Sequence, residues 1–353
     1  MTTSEQAGGA LLEIRKLVKC FPIHGSEKVV HACEDVSLSL LRGETVGLIG
    51  ESGSGKTTLG RCVLRLVEPT SGEIVFEGRD VTKLERGELR RLRADMQIVF
   101  QEPFDSLNQL QTVGRQVGEP LRIHTKLSRR ARKHRVFELL KLVGLPPNVY
   151  DAVPSMLSPG ALQRASIARA IATEPKLIVL DEPTSALAPE AEAEVISLLK
   201  DLQKKLGPTY IFISHDLSLV RSICDRVAVM YLSQIVELGN RDDVFAHPRH
   251  PYTRALLASV LLPDPRQRRD LSDRTERLEG EIPSPIDLPQ GCYLASRCPF
   301  VRERCRAEAQ ELRAVGEAHW ARCWRMAEGD LTEEEIERIK TERRIGQSKV
   351  SPR

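Results

Sequence analysis

Residues 50–57 have the sequence Gly-Glu-Ser-Gly-Ser-Gly-Lys-Thr. Residues 44–50 predict a buried strand that ends where this stretch begins, at Gly50. A predicted helix starts at Lys56, near the end of the stretch. The pattern G-x-x-x-x-G-K-S/T in this context is typical of a phosphate-binding loop (P-loop), whose backbone N–H groups face phosphate oxygens. The residues predicted to line the phosphates are Gly50, Glu51, Ser52, Gly53, Ser54, Gly55, Lys56, Thr57 and Thr58.

Two carboxylates follow another apolar run, residues 177–180, as Asp181 and Glu182. Ligands of open α/β sheets bind at the carboxyl ends of the strands, so we expect both side chains near the phosphates. Asp181 and Thr57 suit the coordination of Mg²⁺, and Glu182 suits the polarisation of an attacking water. His215 ends the next predicted strand, where it is suited to contact the terminal phosphate.

The composition narrows the function classes. Net charge is +3 and aromatic residues make up 4% of the chain, which argues against a nucleic-acid partner. The sequence has no run of 18 apolar residues and no signal-peptide pattern at its start, so we expect a cytoplasmic protein without a transmembrane helix.

The residues between these motifs indicate a family. Residues 157–164, Leu-Ser-Pro-Gly-Ala-Leu-Gln-Arg, resemble the L-S-G-G-Q signature of ABC ATPases. Gln101 resembles the Q-loop glutamine of that family, a further Mg²⁺ contact, and His215 resembles its switch histidine. Phe21 resembles the aromatic residue that stacks on adenine, although a core position would suit it equally. The resemblance implies ATP and Mg²⁺ as ligands, with Ser158 and Gly160 facing the ATP of a second cassette.

The resemblance also implies the fold, an α/β P-loop NTPase of the ABC cassette type. It predicts a RecA-like parallel sheet core, an antiparallel β subdomain and a helical subdomain, with a small Cys-containing extension at the C-terminus. The expected limits are 11–260 for the cassette, about 112–173 for its helical part, 261–326 for the extension, and 327–353 for a charged, flexible tail that begins with a helix.

Two further segments narrow the subfamily. Residues 250–259, His-Pro-Tyr-Thr-Arg-Ala-Leu-Leu-Ala-Ser, and residues 100–108 resemble dipeptide and oligopeptide importers. The implied function is to hydrolyse ATP and so drive an importer of peptides or related small solutes. The implied partners are a second ATPase subunit, membrane permease subunits and, indirectly, an external solute-binding protein, which would place the chain at the cytoplasmic face of the bacterial inner membrane.

Four of the eight cysteines crowd the C-terminal part: Cys292, Cys298, Cys305 and Cys323. A reducing compartment argues against disulfides, and four thiolates suit either a 4Fe–4S iron–sulfur cluster or Zn²⁺. The spacing lacks the C-x2-C pairs that zinc ribbons use, which favours the cluster. Unligated buried cysteines are the remaining interpretation.

Two motifs depart from the family pattern. Pro159 and Ala161 replace a glycine and a glutamine of the signature, and Ala188 replaces the usual aspartate of the D-loop. Both motifs face the other subunit in the family, so we expect an asymmetric heterodimer in which this chain hydrolyses ATP against an intact partner signature. The alternatives are a non-hydrolysing regulatory half and a soluble ABC ATPase.

Overall fold

The structure, a computed structural model, describes residues 9–259 and 278–348. Residues 261–277 of the predicted extension and 349–353 of the predicted tail lie outside the described residues. The described chain forms two compact units. The first comprises residues 9–17, 37–47 and 57–225, and the second comprises 18–36, 48–56, 226–259 and 278–348.

Within these residues the strands are β1 (Ala10–Pro22), β2 (Val29–Leu41), β3 (Thr45–Ile49), β4 (Ser71–Phe76), β5 (Arg79–Asp80), β6 (Met96–Val99), β7 (Leu177–Asp181), β8 (Thr209–Ile213), β9 (Arg226–Tyr231), β10 (Gln234–Asn240), β11 (Arg313–Gly316) and β12 (His319–Ala321). The α-helices are α1 (Lys56–Val63), α2 (Arg86–Leu92), α3 (Pro103–Ser106), α4 (Val113–Val117), α5 (Glu119–His124), α6 (Arg129–Leu142), α7 (Pro159–Ala170), α8 (Pro189–Leu206), α9 (Leu217–Ile223), α10 (Arg241–Ala246), α11 (Pro251–Ala258), α12 (Glu303–Ala307), α13 (Trp324–Ala327) and α14 (Glu333–Ser348). None of the described helices is long and apolar enough to cross a membrane.

Strands β8, β7 and β6 form a parallel sheet at the centre of the first unit, next to the part of β3 that this unit contains. β6 and β7 pair in parallel, and so do β7 and β8. All residues of β7 and β8 are buried, as expected for continuous apolar runs that are covered on both faces. Parallel pairing brings the carboxyl ends of these strands to one edge, which places the residues after β7 and β8 together.

Two further parts complete the first unit. β4 and β5 pair antiparallel in a second sheet of order β2-β1-β4-β5, to which this unit contributes parts of β1 and β2. From residue 113 to residue 173 the chain forms only helices and short 3-10 turns. Ser128 begins α6 as its N-cap, where its hydroxyl accepts a hydrogen bond from the N–H of Ala131.

An antiparallel sheet organises the second unit, in the order β11-β12-β10-β9. The two residues between β9 and β10, Leu232 and Ser233, both have positive φ (40° and 71°), as in a tight hairpin turn. β12 pairs antiparallel with β10, so residues after 278 continue a sheet that begins before residue 240. The C-terminal residues therefore share a compact unit with β9 and β10.

The carboxylate of Glu237 on β10 is fully buried and holds this unit together. It accepts hydrogen bonds from the backbone N–H groups of Arg249 and His250, both at 2.7 Å. The His319 ring on β12 lies 2.7 Å from the same carboxylate. A buried carboxylate needs such partners, and these three connect β10, β12 and the start of α11.

The charged segment after residue 327 contains a helix, as expected, and this helix packs against another part of the second unit. Leu331 and Ile336 are buried against Phe300, and Ile336 lies on the long helix α14. The buried guanidinium of Arg325 pairs with Asp330 and with Glu335 at 2.8 Å. The segment is highly charged, but a few apolar residues on one helix face and ion pairs are enough to dock it.

Candidate active site

The P-loop lies in the second unit, directly after β3. Gly50 and Gly55 have φ angles of 148° and 104°, in the region that favours glycine. A Cβ atom on Gly50 would collide with the carbonyl oxygen of Met230, and one on Gly55 with that of Ala32. Only glycine fits at these two positions, which explains the spacing of the motif.

Lys56 begins α1, and its ammonium group is turned into the loop. Its Nζ donates to the carbonyl oxygens of Gly50 at 2.8 Å and Glu51 at 2.9 Å. The side chain is buried, so these carbonyls replace the water that would otherwise solvate the charge. A cation held at a helix N-terminus among backbone N–H groups suits an anionic ligand.

In the first unit, Thr57 and Asp181 form a pair suited to a divalent cation. The Thr57 hydroxyl donates to Oδ1 of Asp181 at 2.8 Å. Asp181 is the last residue of β7 and is 1% exposed. Two of the three oxygen ligands that the sequence predicts for Mg²⁺ are therefore adjacent in the structure, and oxygen is the donor that Mg²⁺ prefers.

Three predicted catalytic side chains of the first unit meet at one carboxylate oxygen. Oε2 of Glu182 lies 3.0 Å from Nε2 of Gln101 and 3.3 Å from Nδ1 of His215. Glu182 follows β7 with φ 46°, and its N–H donates to the carbonyl of Ile213 on β8. The carboxylate is 17% exposed and His215 is 65% exposed, so solvent reaches the histidine more freely.

The signature residues lie at a helix start elsewhere in the first unit. Ser158 is the N-cap of α7, and its hydroxyl accepts a hydrogen bond from the N–H of Ala161 at 3.4 Å. Pro159 occupies the first helical position, where proline fits but contributes no N–H. Gly160 follows it, facing Ala191 of α8. The helix N-terminus thus has one donor fewer than the family signature would supply.

The altered D-loop residue is also at a helix start. Ala188 is the N-cap of α8 and makes no side-chain capping bond. An aspartate there could cap the helix, a contribution of about 1 kcal/mol. The substitution therefore removes both a carboxylate and a cap.

Phe21 lies near the end of β1, in the second unit, and is 37% exposed. The Nζ of Lys19 lies 4.6 Å from its ring centroid, which orders one face through a cation–π contact. The exposure is more consistent with a stacking surface than with a core position.

Two residues that sequence reasoning missed, Tyr252 and Arg297, contact the P-loop within the second unit. The N–H of Glu51 donates to the Tyr252 hydroxyl at 2.9 Å. The guanidinium of Arg297 lies 3.5 Å from both the Glu51 carboxylate and the Tyr231 hydroxyl. Tyr252 belongs to the segment 250–259 noted above, so the motif was visible but its contact with the loop was not.

The four C-terminal cysteines line one cavity of the second unit. Burial raises the pKa of Cys292 to about 12, and it raises the pKa of Cys298 and Cys323 as well. The indole N–H of Trp324 donates to the sulfur of Cys305 at 3.2 Å. Thiols in such a place stay protonated unless a cation binds, and N–H bonds to sulfur are typical of ligated thiolates.

The spacing of these sulfurs bears on what they could hold. Four thiolates around one zinc ion would lie about 3.8 Å apart, given a Zn–S bond of about 2.3 Å. Among the residues that the structure describes, no three of the four sulfurs lie within 4.8 Å of one another. The described sulfurs are therefore not gathered at the spacing of a single zinc ion.

Comparison with known proteins agrees with these motifs. Residues 33–185 match the ABC transporter family, and residues 236–305 match the C-terminal region of oligopeptide/dipeptide transporters. The oligopeptide transport ATP-binding protein AppF of Bacillus subtilis is 43% identical over 92% of this chain and 99% of its own. OppF of Salmonella typhimurium, described in the same words, is 44% identical over 84% of this chain and 90% of its own.

Solved structures support the fold. The ATP-binding cassette MJ0796, solved as a dimer with ADP and Pi, superposes with a TM-score of 0.60 at 30% identity, covering 65% of this chain and 98% of that one. The protein cbiO1 of Clostridium perfringens is part of the ABC transporter complex cbiONQ. It superposes with a TM-score of 0.60 at 32% identity, covering 68% of this chain and 92% of that one. The α/β cassette fold expected from the sequence is confirmed. The chain belongs to the ABC transporter family as an ATP-binding subunit, in the group that carries the oligopeptide/dipeptide transporter C-terminal region.

Proposed function

We propose that this chain hydrolyses ATP to drive import of peptides or related small solutes. The observation that supports this best is the convergence of Gln101 and His215 on Glu182, beside the Thr57–Asp181 pair. A chain that only bound nucleotide would not need a positioned base. This argues against the regulatory alternative, and the C-terminal region shared with AppF and OppF argues against a soluble ATPase of another kind.

The proposed binding roles follow from the chemistry of each group. The backbone of residues 50–56 and the ammonium of Lys56 bind the phosphates, with Thr58 next along the helix. Thr57, Asp181 and Gln101 hold Mg²⁺, which neutralises charge on the β- and γ-phosphates. Phe21 stacks on adenine.

The proposed chemical step is attack of a water molecule on the γ-phosphorus, which breaks the bond to the β–γ bridging oxygen and releases ADP and phosphate, while Glu182 accepts the proton of the water. Glu182 accepts a hydrogen bond from Gln101 and lies 3.3 Å from Nδ1 of His215, and it orients the water by the same oxygen. His215 is more exposed than Glu182 and can turn toward the γ-phosphate, where its ring donates a hydrogen bond. Positioning and charge stabilisation account for most of the catalysis of phosphoryl transfer.

The assembly we propose is a heterodimer with a second ATPase subunit. Ser158 and Gly160 would face the partner's ATP from the start of α7, where a helix N-terminus attracts phosphate. Pro159 removes one N–H donor there, so the partner's ATP would turn over slowly. The site of this chain would face an intact signature on the partner.

The proposed setting is the cytoplasmic face of the bacterial inner membrane, bound to permease subunits. The ATP-binding proteins AppF and OppF are named for oligopeptide transport, and this chain matches them over most of its length. An external solute-binding protein would deliver the solute, so selectivity would not depend on this chain.

For the four cysteines we propose a structural 4Fe–4S cluster, with zinc as the alternative. The four thiolates of Cys292, Cys298, Cys305 and Cys323 would hold it, and bound iron would deprotonate thiols whose pKa burial has raised. The cluster would link α12, which contains Cys305, to the start of α13, where Cys323 is the N-cap.

Substitution Glu182→Gln tests the proposed base. We expect ATP turnover of the co-purified complex to fall by about 10²–10⁴-fold, because a positioned base contributes that much, while ATP binding persists. The exposed Glu190→Gln is the matched control and should leave turnover unchanged. An unchanged rate in Glu182→Gln would assign hydrolysis to the partner and make this chain the regulatory half.

Turnover of the chain alone tests the heterodimer. A homodimer would carry the altered signature at both sites, so we expect slow hydrolysis until the partner is co-expressed. Pro159→Gly should raise the rate of the isolated chain roughly tenfold or more, because a hydrogen bond to a charged group contributes about 1.5–3 kcal/mol. Pro147→Gly, at an exposed proline of the same helical part, is the control. Robust hydrolysis by the unmodified chain alone would contradict the proposal.

Substitution Tyr252→Phe tests the contact with the P-loop. It removes the acceptor of the Glu51 N–H and keeps the ring. One hydrogen bond contributes about 0.5–1.5 kcal/mol, so ATP affinity should fall roughly two- to tenfold. Calorimetric titration with a non-hydrolysable ATP analogue measures the change. Tyr293→Phe, in the same unit, should leave affinity unaltered, and an equal affinity in both variants would show that the contact does not support the loop.

Metal and sulfide analysis tests the proposed cluster. Protein purified without oxygen should hold about four iron and four sulfide per chain, and Cys298→Ser should lose most of both. Cys224→Ala, at a buried cysteine outside this group, should retain them. About one zinc per chain without sulfide would favour the zinc alternative. A protein that holds neither iron nor zinc would indicate four buried thiols that bind no metal.

A further inference from the structure

A second group of metal-binding side chains lies away from the four cysteines, in the second unit. Cys20 is on β1, and His31 and Glu34 are on β2, the neighbouring strand in the sheet. The cysteine sulfur, the His31 Nδ1 and a Glu34 oxygen all lie within 4.8 Å of one another. Within residues 9–259 and 278–348, no other set of three cysteine, histidine or acidic side chains meets so closely.

The same ring nitrogen of His31 faces both of the other two groups. The Nδ1 of His31 lies 3.6 Å from the Cys20 sulfur and 2.9 Å from Oε2 of Glu34. One ring nitrogen cannot donate to the carboxylate and accept from the thiol at the same time. A cation bound between the three atoms would satisfy all of them together.

The distances suit a tetrahedral transition metal. Zinc bonds of about 2.3 Å to sulfur and about 2.0–2.1 Å to nitrogen place those two ligands about 3.6 Å apart. The observed separation of the Cys20 sulfur and His31 Nδ1 is 3.6 Å. The separation of Nδ1 from Glu34 would need to widen by about 0.4 Å, which a carboxylate side chain that is 27% exposed allows.

The backbone around the ligands is held in place. The His31 N–H donates to the carbonyl of Pro285 at 2.9 Å, and its own carbonyl accepts from the Ser233 hydroxyl at 2.6 Å. The N–H of Glu34 donates to the carbonyl of Ser233 at 2.8 Å. Ligands on a supported strand need little reorganisation to bind a metal.

We propose that Cys20, His31 and Glu34 bind a divalent transition metal, with Zn²⁺ as the best match to one thiolate, one imidazole and one carboxylate. His31 and Glu34 are only part-buried, at 26% and 27%, so a water molecule completes the fourth position. The bound ion joins β1 to β2. Ala32, between the two β2 ligands, is the residue whose carbonyl lies against Gly55 of the P-loop.

The test is metal binding by the full chain under reducing conditions, with Co²⁺ as an optical probe and Zn²⁺ as the competitor. We expect a Co²⁺–thiolate absorption band that Zn²⁺ abolishes. We also expect the chain to bind one equivalent of metal in addition to any that the four cysteines bind. His31→Gln should lose that equivalent, with affinity at least 100-fold weaker, since even outer partners of a metal contribute about 10–100-fold. Cys20→Ser should lose the thiolate band.

Two controls guard against misfolding and non-specific loss. His24→Gln, at an exposed histidine of the turn between β1 and β2, should bind the metal as the unmodified chain does. His31→Cys replaces one ligand by another and should retain the metal. Equal metal content and affinity in the unmodified chain, His31→Gln and Glu34→Gln would overturn the proposal and leave a hydrogen-bonded group.

Discussion

The P-loop backbone passes so close to two carbonyl groups that no side chain fits between them. Met230 at the end of β9 and Ala32 on β2 supply these carbonyls, and Gly50 and Gly55 are the residues that tolerate them. Both glycines also have φ angles that other residues rarely adopt. The path of the loop, and with it the direction of its N–H groups, depends on this packing within the second unit.

Support for the same loop comes from residues about 200 and more positions later in the chain. The Tyr252 hydroxyl accepts from the Glu51 N–H, and Arg297 reaches the Glu51 carboxylate. The buried Glu237 holds the chain just before Tyr252 through the N–H groups of Arg249 and His250. The C-terminal residues are thus part of what shapes the nucleotide loop, and more than an appendage that carries cysteines.

In the first unit, the catalytic geometry follows from parallel strands. β7 and β8 pair in register, so Glu182, which follows β7, donates its N–H to Ile213 at the end of β8. His215, two residues further, then lies beside the Glu182 carboxylate. The buried strands leave only their carboxyl ends free for polar side chains, and the three predicted groups meet there because of it.

Several conclusions were available from residue order alone. The P-loop, the Asp181–Glu182 pair and the signature occur in an order and at spacings that predicted the family and the α/β cassette fold, and both are confirmed. Such motifs are local, because a phosphate loop or a strand end needs particular residues at adjacent positions. The assigned roles of the individual site residues and the domain limits remain predictions.

Contacts between distant segments required the tertiary structure. Nothing in the sequence showed that Tyr252 and Arg297 contact Glu51, or that Cys20, His31 and Glu34 converge. The charged residues after 327 predicted a helix and a flexible end, but they did not show that Ile336 is buried against Phe300. Local composition describes how each segment interacts with water, but which segments pack together is decided by the burial of matching surfaces across the whole chain.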